Sequence, residues 1–265
     1  MNSEEINASP RSGLWLMLYP LWQWLVLIPL AVLFTVLAAP VAILMCLFGY
    51  KRAANLHIAS NWARWIAFLT PLRIDIEGLQ HIQPGQSYVV VSNHQSQYDI
   101  PLIYGYSSLD LRWVMKAEIK HIPFVAQGCR ALGHVFIDRG NPEQARSAIN
   151  RAVADLPHGT GILFFPEGTR SRTGALMQFR KGAFRVAVDR QLPVLPITVI
   201  GTRDRMPSDS FRITPGPVKM VIHPPITPDG TVDSDAVERL SSQTRHLIAS
   251  RLEHERSTQG CSDAL

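Results

Sequence analysis

A histidine followed five residues later by an aspartate, His94 and Asp99, is the pair in this chain best suited to moving a proton. Imidazole has an ordinary pKa of about 6.5, so it takes up and returns a proton near neutrality. A carboxylate folded back onto it would fix the tautomer and stabilise the imidazolium. Folding back requires a helix to start near Ser96 or Gln97. The opposing possibility is a strand-to-helix turn whose polar groups only satisfy each other, and spacing alone leaves both open.

A second group is suited to holding an anion. In Phe164-Phe165-Pro166-Glu167-Gly168-Thr169-Arg170-Ser171 an apolar run stops abruptly in Pro, Glu, Gly, Thr and Arg. Gly168 permits a tight turn with exposed N–H groups, and Thr169 and Arg170 can donate to an anion. Arg139 closes another apolar run. An arginine fork grips phosphate through two parallel bonds, so Arg139 and Arg170 are read as ligand-binding. Arg172, Arg185 and Arg190 are read as a solvated basic surface.

Absent motifs narrow the chemistry. The sequence holds no G-x-S-x-G, no P-loop and no dinucleotide glycine fingerprint. The histidine therefore has no dedicated protein nucleophile, and the nucleophile must come from the substrate. The basic residues lack interleaved stacking aromatics, which argues against nucleic acid. Cys46, Cys129 and Cys261 are scattered and form no CxxC, so neither a disulfide framework nor a metal site is expected. No cofactor is expected either. The formal charge of +5 favours a polyanion or an anionic membrane as partner.

The elements that must position these residues follow from periodicity. With 265 residues, 46% of them hydrophobic, the chain can bury one substantial core. Val89-Val90-Val91 reads as a strand buried on both faces, delivering His94 at its C-terminal end, where α/β sheets meet their ligands. Strands are also expected over 73–77, 110–116, 133–139, 161–165, 193–200 and 218–222. Asn141 with Pro142 starts a helix, Pro123 interrupts a short helical segment ending near Gly128, and 181–189 is a further helix. Ser234 caps a last helix through about Leu252. This alternation predicts an α/β fold with a mixed, largely parallel sheet flanked by helices, over residues 73–255, with a loose tail at 256–265.

Residues 1–72 have a different character. Between Arg11 and Lys51 there is no charged residue or histidine, and about 20 apolar residues at about 1.5 Å each cross a bilayer. This predicts an N-terminal membrane-embedded helical segment, either one span or two short helices folded back at Pro29 or Pro40. Glu4 and Glu5 ahead of the run fit a cleavable signal poorly. Trp15, Tyr19, Trp22 and Trp24 precede the run, and Trp62 and Trp65 follow it, as interfacial aromatic belts do. Lys51, Arg52 and Arg64 place the following side in the cytoplasm. Residues 53–69 keep helical apolar spacing and are expected to lie along the bilayer surface.

These stretches together carry a resemblance. Asn93-His94-Gln95-Ser96-Gln97-Tyr98-Asp99 is similar to the NHxSxxD signature of the glycerolipid acyltransferases that include 1-acyl-sn-glycerol-3-phosphate acyltransferase, and residues 165–171 are similar to that family's FPEGTRS block. Gly133 to Arg139 resembles its GxxFIxR block, and Val194-Leu195-Pro196-Ile197 its short proline-containing fourth block. The resemblance covers residues 74–200. It implies an acyltransferase in which His94, oriented by Asp99, is general base on a lysolipid hydroxyl that attacks the thioester of acyl-CoA or acyl carrier protein. It also implies that Arg139, Glu167, Gly168, Thr169 and Arg170, with Lys181 as a lesser candidate, hold the acceptor phosphate of lysophosphatidic acid. Glu167 would orient an arginine or accept a glycerol hydroxyl. The expected setting is the cytoplasmic face of the inner membrane. Another lysolipid acceptor, such as a lyso-ornithine lipid, and a non-catalytic anionic-lipid anchor are the alternatives.

Overall fold

A computed structural model describes residues 13–262 of the chain. Glu4, Glu5 and Arg11, residues 263–265, and the side chains of Trp15 and Cys261 lie outside that description. The apolar run forms α1 (Gly13–Trp22), a π-helical turn (Gln23–Leu27) and α2 (Ile28–Leu47) without a break. Neither Pro29 nor Pro40 folds it back. The π-helical turn widens the backbone just ahead of Pro29, whose ring would otherwise press on the Leu25 carbonyl. The stretch Leu18–Leu47 is one helix long and apolar enough to cross a bilayer. Its outward side chains, among them Leu25, Leu33, Leu37 and Leu44, are exposed.

After a turn at Gly49, the chain returns through α3 (Lys51–Ala53), a π-helical segment (Ala54–Ala59) and α4 (Ser60–Leu69). This is the amphipathic stretch expected from its spacing. Its small residues Ala63 and Ala67 are buried, and it packs on α5 (Asp99–Tyr106). A Cβ at Gly105 would stand 3.4 Å from that of Ala63 and 3.3 Å from the Arg64 nitrogen, so the two helices meet nearly backbone to backbone. Trp62 Nε1 donates to Thr35 Oγ1 at 2.9 Å and Trp22 Nε1 to the Leu69 carbonyl at 3.2 Å, tying the two arms of the hairpin.

Seven strands follow: β1 (Leu72–Glu77), β2 (Tyr88–Ser92), β3 (Asp110–Lys116), β4 (Val135–Ile137), β5 (Thr160–Phe164), β6 (Val194–Ile200) and β7 (Gly216–Ile222). They form one sheet in the order β1-β7-β6-β2-β5-β3-β4, parallel except where β6 meets β7. β2 lies at the centre and all five of its residues are buried. Alternation sends Val89 and Val91 to one face and Tyr88 and Val90 to the other. On the first face they join α7 (Pro142–Ala154), α8 (Gly182–Arg190) and α10 (Ser234–Ser262). The other face packs on α5 and α4. The remaining helices, α6 (Val125–Leu132) and α9 (Thr202–Arg205), follow β3 and β6.

Several boundaries differ from the sequence expectation. α6 runs through Gly128 to Leu132, because the break falls earlier, at Phe124, whose φ is 62°. Asp233 rather than Ser234 caps α10, its carboxylate accepting from the Ala236 N–H at 2.6 Å. The helix then continues to Ser262 where a loose tail is expected, held by Arg251 to Glu77 at 2.7 Å and Arg256 to the Gly174 carbonyl at 2.5 Å.

One polar residue inside the apolar helix ties the hairpin to the α/β domain. Gln23 is buried, donates to the Phe211 carbonyl at 2.7 Å and accepts from the Ile213 N–H at 3.0 Å. Replacing it with leucine removes both bonds and leaves a buried N–H bare, a loss of about 1–3 kcal/mol. Hydrogen exchange on the detergent-solubilised Gln23→Leu variant should show the Ile213 amide deprotected; unchanged protection there would mean the bond is not made.

Candidate active site

β2 stops at Ser92 because the next polar groups are claimed by partners across the sheet. Asn93 acts as a spliced piece of strand: its Nδ2 donates to the Val199 carbonyl and its Oδ1 accepts from the Val199 N–H, both at 2.8 Å. That pins the end of β2 to β6 and aims His94 out of the sheet. His94 is held twice more through its backbone, its N–H donating to Glu167 Oε1 at 2.6 Å and its carbonyl accepting from the Ser171 N–H at 2.8 Å. The imidazole lies against the Phe165 ring, centroids 4.0 Å apart at 19°.

Asp99 does fold back onto His94, though by a different route from the one its spacing suggests. The helix begins at Asp99 itself, and the reversal is made by the preceding loop. The Asp99 Oδ2 accepts from His94 Nδ1 at 2.8 Å and from the N–H groups of Gln95 and Ser96 at 2.7 and 2.9 Å. Its Oδ1 accepts from the Thr202 hydroxyl at 2.5 Å. Four donors thus satisfy a carboxylate that water does not reach. With its Nδ1–H committed to the carboxylate, His94 is left with a Nε2 lone pair for the cleft.

That cleft, of about 650 Å³, is lined by His94, Phe165, Arg139, Thr169 and Arg170 together. His94 and the two arginines therefore share one space at the C-terminal ends of the parallel strands, with Asp99 buried behind the imidazole. Arg139 is half-buried, and burial together with the neighbouring Arg180 guanidinium lowers its pKa while Glu118 opposes the shift. It donates to the Gly168 carbonyl. Among the described residues, Thr169 and Arg170 make no side-chain hydrogen bond to the rest of the protein.

Three residues that the resemblance assigns to the acceptor phosphate are engaged by other contacts. Glu167 neither orients an arginine nor faces the cleft: both its oxygens are taken by backbone, Oε1 by the His94 N–H and Oε2 by the Met177 N–H at 2.9 Å. Burial pushes its carboxyl up, and these bonds pull it back. It is a brace under His94. Gly168 has φ 75°, as a tight turn requires, but its N–H closes that turn onto the Phe165 carbonyl instead of facing an anion. Lys181 pairs with Glu238 at 2.7 Å and does not line the cleft.

Two residues not singled out from sequence belong here. Lys116 ends β3 on the cleft and pairs with Glu118 at 2.9 Å, and Thr202 completes the Asp99 cage. A basic residue at a strand end was a signal for the first. No local signal marks a threonine that acts 103 positions away.

An apolar chamber of about 100 Å³ adjoins the cleft, sharing Trp62, Ile100, Trp113, Val125 and Cys129 with it. Small residues of α2, Ala38, Ala39 and Ala42, form one wall, and His134 closes the far side. Burial and the Arg112 charge push the His134 pKa down to about 3, so it is neutral, and its Nδ1 accepts from the Trp113 N–H at 3.3 Å.

Residues 73–200 match the family model described as Acyltransferase. The human 1-acyl-sn-glycerol-3-phosphate acyltransferase alpha is 30% identical over 211 residues, 79% of this chain and 74% of that protein. The chloroplastic 1-acyl-sn-glycerol-3-phosphate acyltransferase LPAT1 of Arabidopsis thaliana is 36% identical over 179 residues, 67% of this chain and half of that one. The crystal structure of the 1-acyl-sn-glycerophosphate acyltransferase PlsC from Thermotoga maritima superposes with a TM-score of 0.70 at 29% identity, covering 86% of this chain and 95% of that chain.

If Glu167 is a brace, its loss should act on His94 without touching the arginines. Glu167→Ala strands two N–H groups and should cost about 3 kcal/mol, lowering the melting midpoint by roughly 6–12 °C. In steady-state kinetics it should reduce kcat with little change in acceptor KM, and Glu167→Gln, which keeps one acceptor, should fall between. A raised acceptor KM with kcat intact would return Glu167 to substrate binding.

Proposed function

This chain belongs to the acyltransferase family of the 1-acyl-sn-glycerol-3-phosphate acyltransferases, and on that premise we propose that it moves a fatty acyl group from acyl-CoA or acyl carrier protein to the free hydroxyl of lysophosphatidic acid, giving phosphatidic acid. The observation that carries the reading is the shared cleft, in which a carboxylate-oriented imidazole and two arginines face one space. His94 Nε2 takes the proton of the lysolipid hydroxyl as its oxygen attacks the thioester carbonyl. The carbon–sulfur bond then breaks, and the thiolate leaves with the proton returned from the imidazolium. Asp99 stabilises that imidazolium. A positioned base contributes about 10²–10⁴-fold in rate, and alignment of hydroxyl with thioester supplies a further large share.

Arg139, Thr169 and Arg170 receive the acceptor phosphate, with Lys116 as an additional cation. The chamber adjoining the cleft takes the acyl chain of the thioester, and its depth against α2 sets the chain length accepted. The apolar helix supports a membrane-bound enzyme whose α/β domain sits on the side marked by Lys51, Arg52 and Arg64, the cytoplasmic face of the inner membrane. Both lipids of the reaction live in the bilayer. Lifting an acyl chain out of it would cost about 0.8 kcal/mol per CH₂, a cost that a site docked on the surface avoids.

A thiol-release assay on purified enzyme with a panel of lysolipids tests the reading. His94→Ala should lose at least about 10²-fold in kcat while the protein still folds. Arg170→Ala should raise the acceptor KM about 10- to 100-fold with kcat less affected, as expected for one charge-assisted contact to phosphate. Acylation confined to acceptors that lack a phosphate would contradict the role given to Arg139 and Arg170.

A further inference from the structure

A second basic cavity lies behind the cleft and is used by no step above. It holds about 410 Å³ and is bounded by α7, α8 and the ends of β4 and β5. Its floor is apolar, with Ile149 and Phe164, and its rim carries Arg139, Arg146, Arg180 and Arg185. Among the described residues, Arg146, Arg180 and Arg185 have no carboxylate partner, unlike Lys181 beside them, which Glu238 neutralises. Arg180 is set deliberately: its N–H donates to the Pro166 carbonyl at 2.8 Å and its guanidinium lies over Gly168, where an added Cβ would stand 2.5 Å from Nε. Like charges gathered without counter-charges raise the energy of the empty protein, and an anion relieves it.

Its position relative to His94 identifies the anion. Trp113 and Val114 are neighbours on β3 and point to opposite faces of the sheet; the first lines the apolar chamber and the second lines this pouch. Val114, Arg139 and Phe165 line both pouch and cleft, so the two are continuous, with the His94 imidazole stacked on Phe165 at the junction. A thioester whose carbonyl sits at His94 has two arms, an apolar chain and a carrier that ends in phosphate. One face of the sheet offers an apolar chamber, the other a basic pouch.

We propose that the pouch bounded by Arg146, Arg180 and Arg185 binds the phosphate-bearing pantetheine arm of the acyl donor, so that the donor crosses the sheet edge over Phe165 with its acyl chain on one face and its carrier on the other. Arg139 then stands between two anions, the acceptor phosphate in front and the donor phosphate behind. The proposal rests on a thioester donor, the reading given above. Both coenzyme A and carrier protein present this phosphate.

The test is the double variant Arg146→Ala/Arg185→Ala, assayed with acyl-CoA and with acyl carrier protein, against Arg190→Ala as a surface control. The expected result is a rise of about tenfold or more in donor KM with acceptor KM unchanged, restored in large part by lysine at both positions. A rise with both donors supports the shared pantetheine phosphate, and a rise with acyl-CoA alone, which would place the nucleotide phosphates in the pouch, overturns it. A rise in acceptor KM instead, or no change in any donor KM, overturns the proposal. Calorimetric binding of free coenzyme A to the solubilised protein separates this from the functional reading. Binding weakened in the double variant supports the pouch even if no acyl transfer is found, and equal binding in both proteins overturns it.

Discussion

Satisfying one carboxylate where no water reaches it is the constraint on which the site depends. A buried, unpaired anion is among the costliest things a fold can contain, and Asp99 is tolerated because four donors converge on it. Each donor arrives from a separate structural decision. The Gln95 and Ser96 amides come from the loop after β2, the Thr202 hydroxyl from the start of α9, and the imidazole from the end of the central strand. Asn93 and Glu167 add nothing to the carboxylate itself, yet they fix the peptide that carries His94, Asn93 by its bonds to Val199 of β6 and Glu167 from the turn after β5. The imidazole's orientation is therefore a property of three strand ends at once.

The sheet supplies the second requirement, that unlike things meet at one edge. Parallel strands end together, so β2, β3 and β5 deliver His94, Lys116 and the Glu167–Arg170 turn to the same rim, with β4 delivering Arg139. Their two faces open onto different surroundings. One is walled by the helical hairpin and is apolar, and the other lies under α7 and α8 and is basic. The hairpin is thus more than a tether. Ala38, Ala39 and Ala42 of the apolar helix form part of the chamber wall, and Gln23 grips the loop whose Met206 and Ile213 line the cleft.

Much of this was legible in the residues. Periodicity places the seven strands in order, since buried parallel strands read as unbroken apolar runs and Tyr88 to Val91 is one. The His94–Asp99 pair and the Arg139–Arg170 group announce themselves at strand ends. What sequence could not reveal are bonds whose partners lie far along the chain. Glu167 looks like a ligand residue until the Met177 and His94 amides are seen to occupy both its oxygens. Lys181 looks available until Glu238 is seen beside it. Thr202 carries no local mark at all. The continuation of α10 past Leu252 was hidden for a similar reason: the residues from His254 to Gln259 are polar, and Arg256 is held by a carbonyl 82 positions away.

The central claim is that one lysolipid headgroup touches the base and the arginines together. A crystal structure with lysophosphatidic acid and no thioester, so that nothing can react, measures this directly. The acceptor hydroxyl should lie within about 3 Å of His94 Nε2 while the phosphate oxygens meet the Arg139 and Arg170 guanidinium groups at about 2.8 Å. A phosphate bound elsewhere, with the hydroxyl out of reach of His94, would contradict the account.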